Sequence, residues 1–449
     1  MRSYASRVRT FGMSHDPFEQ LKIEAIRAIS LAVEAPLMPN LQSLSWCVED
    51  DAHFPYITLF LGAPQLTRID INFHGTPSRL SLAPKLKALH HRIKNANLTY
   101  GTSLTEIEAA SALVCSWNSL TTLTCGPLTA EALVHLSSLP ALHSLNIYLP
   151  AIELSGIAFP IPFPFPTLQL LTVQLPNPRV LMPCTMLLNQ MAPISLKRLI
   201  ISLPTEFVSA DLEELFECLR KNMRQLQELV IQKHTSWELH TARLTIKNDM
   251  LRQLFSLTKL VKISLTPNCS FDLDDMTLSQ MAPSWPSLKE LNLGAVQGWR
   301  RRSQLRLKSL LIILVHCPDL QELGIVVDAG ADLNSMGKPG GFSHNTLRVL
   351  HMGDSRVTSA ALVAAFLSDI VPCVTVINAW QTSEMERREG GKKYQRKWQA
   401  VKRLLSTFVM VREQERHWSE QTRIVDASSM SLGETSSDSD DGSPFDLGL

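Results

Sequence analysis

Apolar residues recur along this chain with a fixed local spacing, Leu-x-x-Leu-x-Leu, in which Ile, Val or Phe substitute freely. Clear copies begin at Leu41 (LQSLSW), Leu142 (LHSLNI), Leu168 (LQLLTV), Leu196 (LKRLII), Leu226 (LQELVI), Leu288 (LKELNL), Leu320 (LQELGI) and Leu347 (LRVLHM). Weaker copies begin at Val8, Leu66, Leu120, Leu260 and Val374, giving thirteen starts mostly 22 to 34 residues apart. Pro84-Lys-Leu86 with Leu89 suggests one further copy between 66 and 120. Within each copy the fourth and sixth positions share one face of an extended chain, and the third, fifth and seventh share the other. The period is that of leucine-rich repeats, each a short strand with a return segment that buries its apolar face only by stacking on its neighbours.

Between the strand motifs the spacing changes from two to helical. Asp16-Pro17 supplies an N-cap and a first-turn proline for FEQLKIEAIRAISLA. Around 209–220, Leu212, Leu215, Phe216 and Leu219 fall on one stripe, and similar stripes occupy 246–256, 302–315 and 358–371. A proline precedes the first apolar position by two residues at Pro39, Pro64, Pro140, Pro166, Pro286, Pro318 and Pro372, which fits a helix-to-strand junction. The expectation is an α/β fold: a right-handed leucine-rich-repeat solenoid over residues 1–380, with parallel strands on the concave face and helices on the convex face. Residues 159–166 (FPIPFPFP) predict an extended inter-repeat loop. Val8, Phe11 and Met13 are expected to leave apolar surface exposed at the first repeat.

After Trp380 the repeats stop. Residues 381–424 carry eleven Lys/Arg against six acidic residues and predict a helical cap, with its main helix from about Lys393 to Arg416. Trp398, Val401, Leu404, Leu405 and Phe408 lie at helical spacing and would close the last repeat. Residues 425–449 are Ser-, Asp- and Gly-rich and predict a disordered acidic tail. There Thr435 and Ser437 each precede an Asp by three residues, a pattern acidophilic kinases favour.

Composition narrows the function. A 449-residue chain that is 45% hydrophobic can fill a continuous core, and a net charge of +1 supplies no global field toward nucleic acid or membrane. The longest apolar run, Leu310 to Val315, is far too short for a bilayer, and MRSYASRVRT lacks the apolar centre of a signal peptide. Eight cysteines form no CxxC pair, so they are read as free, mostly buried thiols of a cytoplasmic or nuclear protein. No nucleophile elbow, phosphate loop, dinucleotide fingerprint or HExxH occurs. Asp272-Leu-Asp274-Asp275 superficially matches a DxDD acid motif but precedes an apolar helical run, where aspartates serve as caps. Met336-Gly-Lys-Pro-Gly-Gly lacks P-loop spacing, and His90-His91 lacks a carboxylate or cysteine at ligand spacing. Arg300-Arg301-Arg302 reads as a basic helix start. The expectation is a non-enzyme without cofactor or metal, and without a nucleic-acid or membrane partner.

Candidate binding residues are therefore those the strands present outward. At the third and fifth positions these include Arg68, Asp70, Asn146, Arg198, Glu228, Lys262, Glu290, Asn292, Glu322 and His351. The later repeats set Glu228, Glu290 and Glu322 in a band interrupted by Lys262. Thirteen strands span roughly 60 Å at about 4.8 Å each, a reach suited to a protein or long peptide.

The Pro-x-Leu-x-x-Leu junctions (CPDLQELGI, WPSLKELNL, MPNLQSLSW) and the opening SYASRVRTFGM resemble F-box/leucine-rich-repeat proteins of mushroom-forming fungi, over roughly residues 4 to 380. The resemblance implies a repeat domain that holds a protein substrate for ubiquitination. It also implies an N-terminal three-helix F-box that docks on the Skp1 adaptor of a cullin–RING ligase. Only about seven residues precede the first repeat, so Skp1 and cullin are expected as partners only of a longer, F-box-bearing form. The alternative is a repeat-only scaffold or regulator, such as a small-GTPase modulator.

Overall fold

The computed structural model describes residues 2–13, 22–32, 36–48, 50–74, 77–88, 92–149, 159, 164–175, 181–191, 196–203, 209–233, 244–267, 269–330 and 341–433. The expectations for Asp16-Pro17, His90-His91, most of 159–166, the glycine-rich 336–341 and the tail from 434 fall largely or wholly outside them.

A fourteen-stranded, wholly parallel sheet runs through the chain in sequence order. Its strands occupy 10–13, 43–46, 68–72, 95–99, 122–125, 144–148, 170–174, 198–203, 228–233, 262–266, 290–293, 322–324, 349–353 and 376–379. All thirteen motif starts lead into a strand, and the fold is the α/β leucine-rich-repeat solenoid that the spacing predicts. The fourteenth strand is Asn95–Thr99, in the copy Ile93-Lys-Asn-Ala96-Asn-Leu98, where alanine takes the usual leucine slot. The copy expected at 84–89 is corrected, since Ala83–Lys87 is a short helix.

Register explains the motif. Leu44 pairs with Ile69, Ile69 with Ala96, and the same inward row continues through Leu199, Leu229, Ile263, Leu291 and Leu323. Every member of that row is buried. Many of the leading leucines close a turn: Leu41 N–H donates to Met38 O and Leu288 N–H to Trp285 O, with Pro39 and Pro286 at the second turn position. Proline presets φ there, which is why it recurs at the junctions. Two indoles fasten consecutive repeats. Trp117 Nε1 donates to Leu86 O at 3.4 Å and Trp285 Nε1 to Leu254 O at 3.3 Å.

Helices or short helical turns return the chain between most strands. Leu104–Val114 opens with a capping box between Ser103 and Glu106. Ser209–Asn222 buries the expected Leu212, Leu215, Phe216 and Leu219. The acidic cluster behaves as capping chemistry: Asp274 accepts from Thr277 N–H at 2.7 Å, and that bond holds its carboxyl below the usual range. Two short parallel ladders, Thr245–Lys247 with Ser270–Asp272 and Asp328–Ala329 with Arg356–Val357, were not foreseen. The stripe expected over 302–315 is helical only over Ser309–His316, so Arg300–Arg302 lies in a loop and does not start a helix. At the first repeat Met13 is buried and Phe11 stacks on Phe60 at 4.7 Å, which corrects the expected exposure there.

The C-terminal helix runs over Gly391–Gly433, longer than the expected 393–416 and past the 424 boundary. Trp398, Val401 and Leu405 are buried, Leu404 and Phe408 pack against the core, and the helix lies along Ala360–Ile370. Arg412 pairs with Asp369 at 2.5 Å. Trp380 and Trp398 both donate their indole N–H to Ser355 O, at 2.7 and 2.8 Å.

Candidate protein-binding surface

The outward positions of the sheet form straight rows across the repeats. Ser43, Arg68, Asn95, Thr122, Ser144, Leu170, Arg198, Glu228, Lys262, Glu290 and Glu322 are consecutive register partners in the third-position row. The fifth-position row runs from Ser45 and Asp70 through Asn97, Thr124, Asn146, Thr172, Ile200 and Val230 to Ser264, Asn292, Gly324 and His351. Direct neighbours on such a face sit close enough to bond, which decides the chemistry.

In the early repeats Asp70 accepts from Ser45 Oγ at 3.1 Å and Asn97 Nδ2 at 2.9 Å, while Arg68 stands exposed beside them. Asn146 accepts from Gln174 Nε2 at 3.2 Å. The later charges pair across strands. Arg198 meets Glu228 at 2.8 Å, Lys262 bonds Glu290, and His351 lies between Glu322 Oε1 at 3.1 Å and Asn378 Nδ2 at 3.2 Å. The band thus alternates in sign from Arg198 through Glu228 and Lys262 to Glu290 and ends on two neighbouring glutamates, Glu290 and Glu322, and half-exposed pairs of this kind contribute little to stability.

Asn292 departs from its expected role. It is buried, its Oδ1 accepts from Ala295 N–H at 3.1 Å, and its amide lies where a Cβ on Gly324 would stand. It ties the turn after its strand and presents little amide to solvent.

Three outward residues were not singled out as site candidates. Leu170, Ile200 and Val230 are half-buried and occupy neighbouring strands at mid-face, with Ile200 directly paired to Val230. They form an aliphatic patch flanked by Thr172, Gln174 and the Arg198–Glu228 pair. The signal was present, because these rows are otherwise mostly polar.

A cleft of about 480 Å³ at the last repeats is lined by Arg300, Arg301, Arg356 and Arg388 facing Asp354, Glu384 and Glu389. Asp354 accepts from Trp299 N–H at 2.7 Å, Arg300 N–H at 2.8 Å and Arg388 Nη1 at 2.5 Å. Gly298, at φ +72°, makes room for it, since a Cβ there would stand 2.6 Å from Asp354 Cγ. Arg300 and Trp380 both hold left-handed backbone at φ +56° beside this carboxylate. Arg300 also pairs with Glu384 at 2.7 Å and Arg301 with Asp272 at 3.1 Å. The network clamps the loop after strand 290–293 to the C-terminal cap.

The cysteines are free. Burial pushes the thiols of Cys125 and Cys184 up to about 12 and those of Cys218 and Cys317 up to about 11. Among the described residues no cluster of three or more His, Cys, Asp or Glu could hold a metal ion, and no helix is long and apolar enough to cross a membrane.

The fold and its outward rows define the class of this chain as a leucine-rich-repeat solenoid with an open sheet face. No family model matches it, and no curated protein is similar to it. Among solved structures it is similar to a chain in the crystal structure of the Rad7 and Elc1 complex in yeast. That match has 13% sequence identity and a TM-score of 0.34, and covers 74% of this chain and 79% of the other.

Proposed function

We propose that this chain is a non-catalytic recognition solenoid that holds another protein along its concave sheet face. We propose further that it acts as the substrate-binding part of an F-box-type receptor for a cullin–RING ubiquitin ligase. The observation that carries the first reading is the mid-face patch of Leu170, Ile200 and Val230 amid polar rows. An apolar centre with a polar, charge-paired rim is the arrangement that protein interfaces use, with most affinity at the desolvated centre. Fourteen strands at about 4.8 Å offer roughly 60 Å of face, more than a metabolite fills. The ligase reading rests on the resemblance carried by the SYASRVRTFGM leader and the Pro-x-Leu-x-x-Leu junctions.

The test is affinity capture from the native cell with the tagged chain and two surface variants. Ile200→Lys with Val230→Lys changes only outward positions and is expected to keep the melting temperature. Partner recovery should fall at least about thirtyfold, the loss expected for a centre worth about 2 kcal/mol. Glu290→Lys with Glu322→Lys should alter which proteins are recovered without unfolding the chain. An unchanged set with both variants contradicts the concave-face reading. Recovery of Skp1 and cullin with an F-box-bearing form supports the ligase reading. Their absence from that form leaves a scaffold unconnected with ubiquitin.

A further inference from the structure

The C-terminal helix carries a second surface that the concave-face reading does not use. From Gly391 to Arg412 the sequence holds seven Lys/Arg and no Asp or Glu. Two of the seven are engaged: Lys397 Nζ donates to Thr358 O, and Arg412 pairs with Asp369. The other five, Lys392, Lys393, Arg396, Lys402 and Arg403, are exposed and have no carboxylate beside them on their own helix segment. At 100° per residue, Lys392, Arg396 and Arg403 fall within about 40° of one another, opposite the buried Trp398, Val401 and Leu405. The stripe extends about 16 Å along the helix axis.

Ordinary solvation does not require this segregation. On the convex helix Ser209–Asn222, Glu217 stands one turn before Arg220 and Lys221 and pairs with both, at 3.7 and 2.8 Å. Like charges one turn apart destabilise a helix, so an uncompensated stripe is a cost that a bound anion removes. Continuing along the same line, Met410 is 59% exposed, and Val411 beside it 43%.

We infer that this face docks an acidic polypeptide segment, with its carboxylates or phosphoserines on the Lys392–Arg396–Arg403 stripe and an apolar side chain on Met410 and Val411. The charge complement is negative, and the apolar end distinguishes polypeptide from nucleic acid. A phosphate backbone finds no partner at Met410. Between Gly391 and Arg412 the aromatic side chains give no stacking platform, since Tyr394 stacks on Trp380 at 5.1 Å, Trp398 is buried and Phe408 packs against the core. The exposed Trp418 stands about 12 Å further along the helix than Met410. The surface is separate from the concave face, so either reading can fail alone.

The test uses the full chain and fluorescence anisotropy with a sixteen-residue Asp/Glu-rich peptide ending in Leu-Phe. Comparison probes are the same peptide ending in Ser-Ser and a single-stranded oligonucleotide of equal charge. Wild type should bind the first peptide most tightly, with affinity falling as salt rises. Lys392→Glu, Arg396→Glu and Arg403→Glu together should weaken it at least tenfold without lowering the melting temperature, and the Gln triple variant should lie between. Met410→Ser should weaken the Leu-Phe peptide several-fold and leave the Ser-Ser peptide unchanged. Equal peptide binding by wild type and both triple variants overturns the proposal, as does tighter binding of the oligonucleotide that ignores Met410→Ser.

Discussion

Leu291→Asp is expected to unfold the repeats around strand 290–293. Leu291 is 1% exposed and stands in register between Ile263 and Leu323, so the new carboxylate meets only aliphatic neighbours in the inward row. An unpaired charge in such a slot costs about 4 kcal/mol or more, a large part of the stability of an ordinary domain. Because repeats are held mainly by their neighbours, the damage should spread along the stack before it fades. Hydrogen exchange should show protection lost across the strands from 262 to 324, with strands 43–46 and 68–72 little changed. A variant that melts like wild type would mean that position 291 does not face inward, and the register of the later repeats would be wrong.

A second large effect is expected at the C-terminal clamp. Asp354→Ala strips the acceptor from two backbone N–H groups and from Arg388, whose side chain is only 20% exposed. Leaving two amides without an acceptor, and a partly buried guanidinium with only Gln297 O and Glu384, should cost about 2 to 4 kcal/mol. The loss should be local. Exchange should rise in the loop around 295–302 and in the cap from Ser383 to Leu405, while the strands before 175 keep their protection. Asp354→Asn retains an acceptor oxygen and should fall between. Unchanged exchange in the cap of the alanine variant would show that the burial of Trp398, Val401 and Leu405 alone holds the helix in place.

Much of this architecture is legible in the sequence because inward slots four and six tolerate only apolar side chains. The strand at 95–99 escaped because Ala96 fills a slot that leucine fills elsewhere, so its copy has one large apolar residue fewer. The Arg300–Arg302 loop escaped for a different reason. Its basic residues are neutral to helix propensity, and what fixes them are distant carboxylates: Asp354 on the Arg300 backbone, and Glu384, Asp272 and Asp328 on the three side chains. The cross-strand pairing of Lys262 with Glu290 follows once the repeats are aligned, since equal motif positions become neighbours. Asn292 did not follow, because its burial depends on Gly324 in the next strand and on the turn at Ala295. The mid-face patch was readable as Leu170, Ile200 and Val230 at otherwise polar positions. Its significance depended on knowing that the three strands are adjacent.

The most direct test of the concave face as the binding surface is photo-crosslinking in the native cell. A crosslinking residue would be placed at Thr172 or Ser264 on the sheet, or at Glu214 on the convex helix. The same protein crosslinked from both sheet positions and absent from position 214 is the predicted result. Crosslinks formed from position 214, with none from the sheet, would contradict the account.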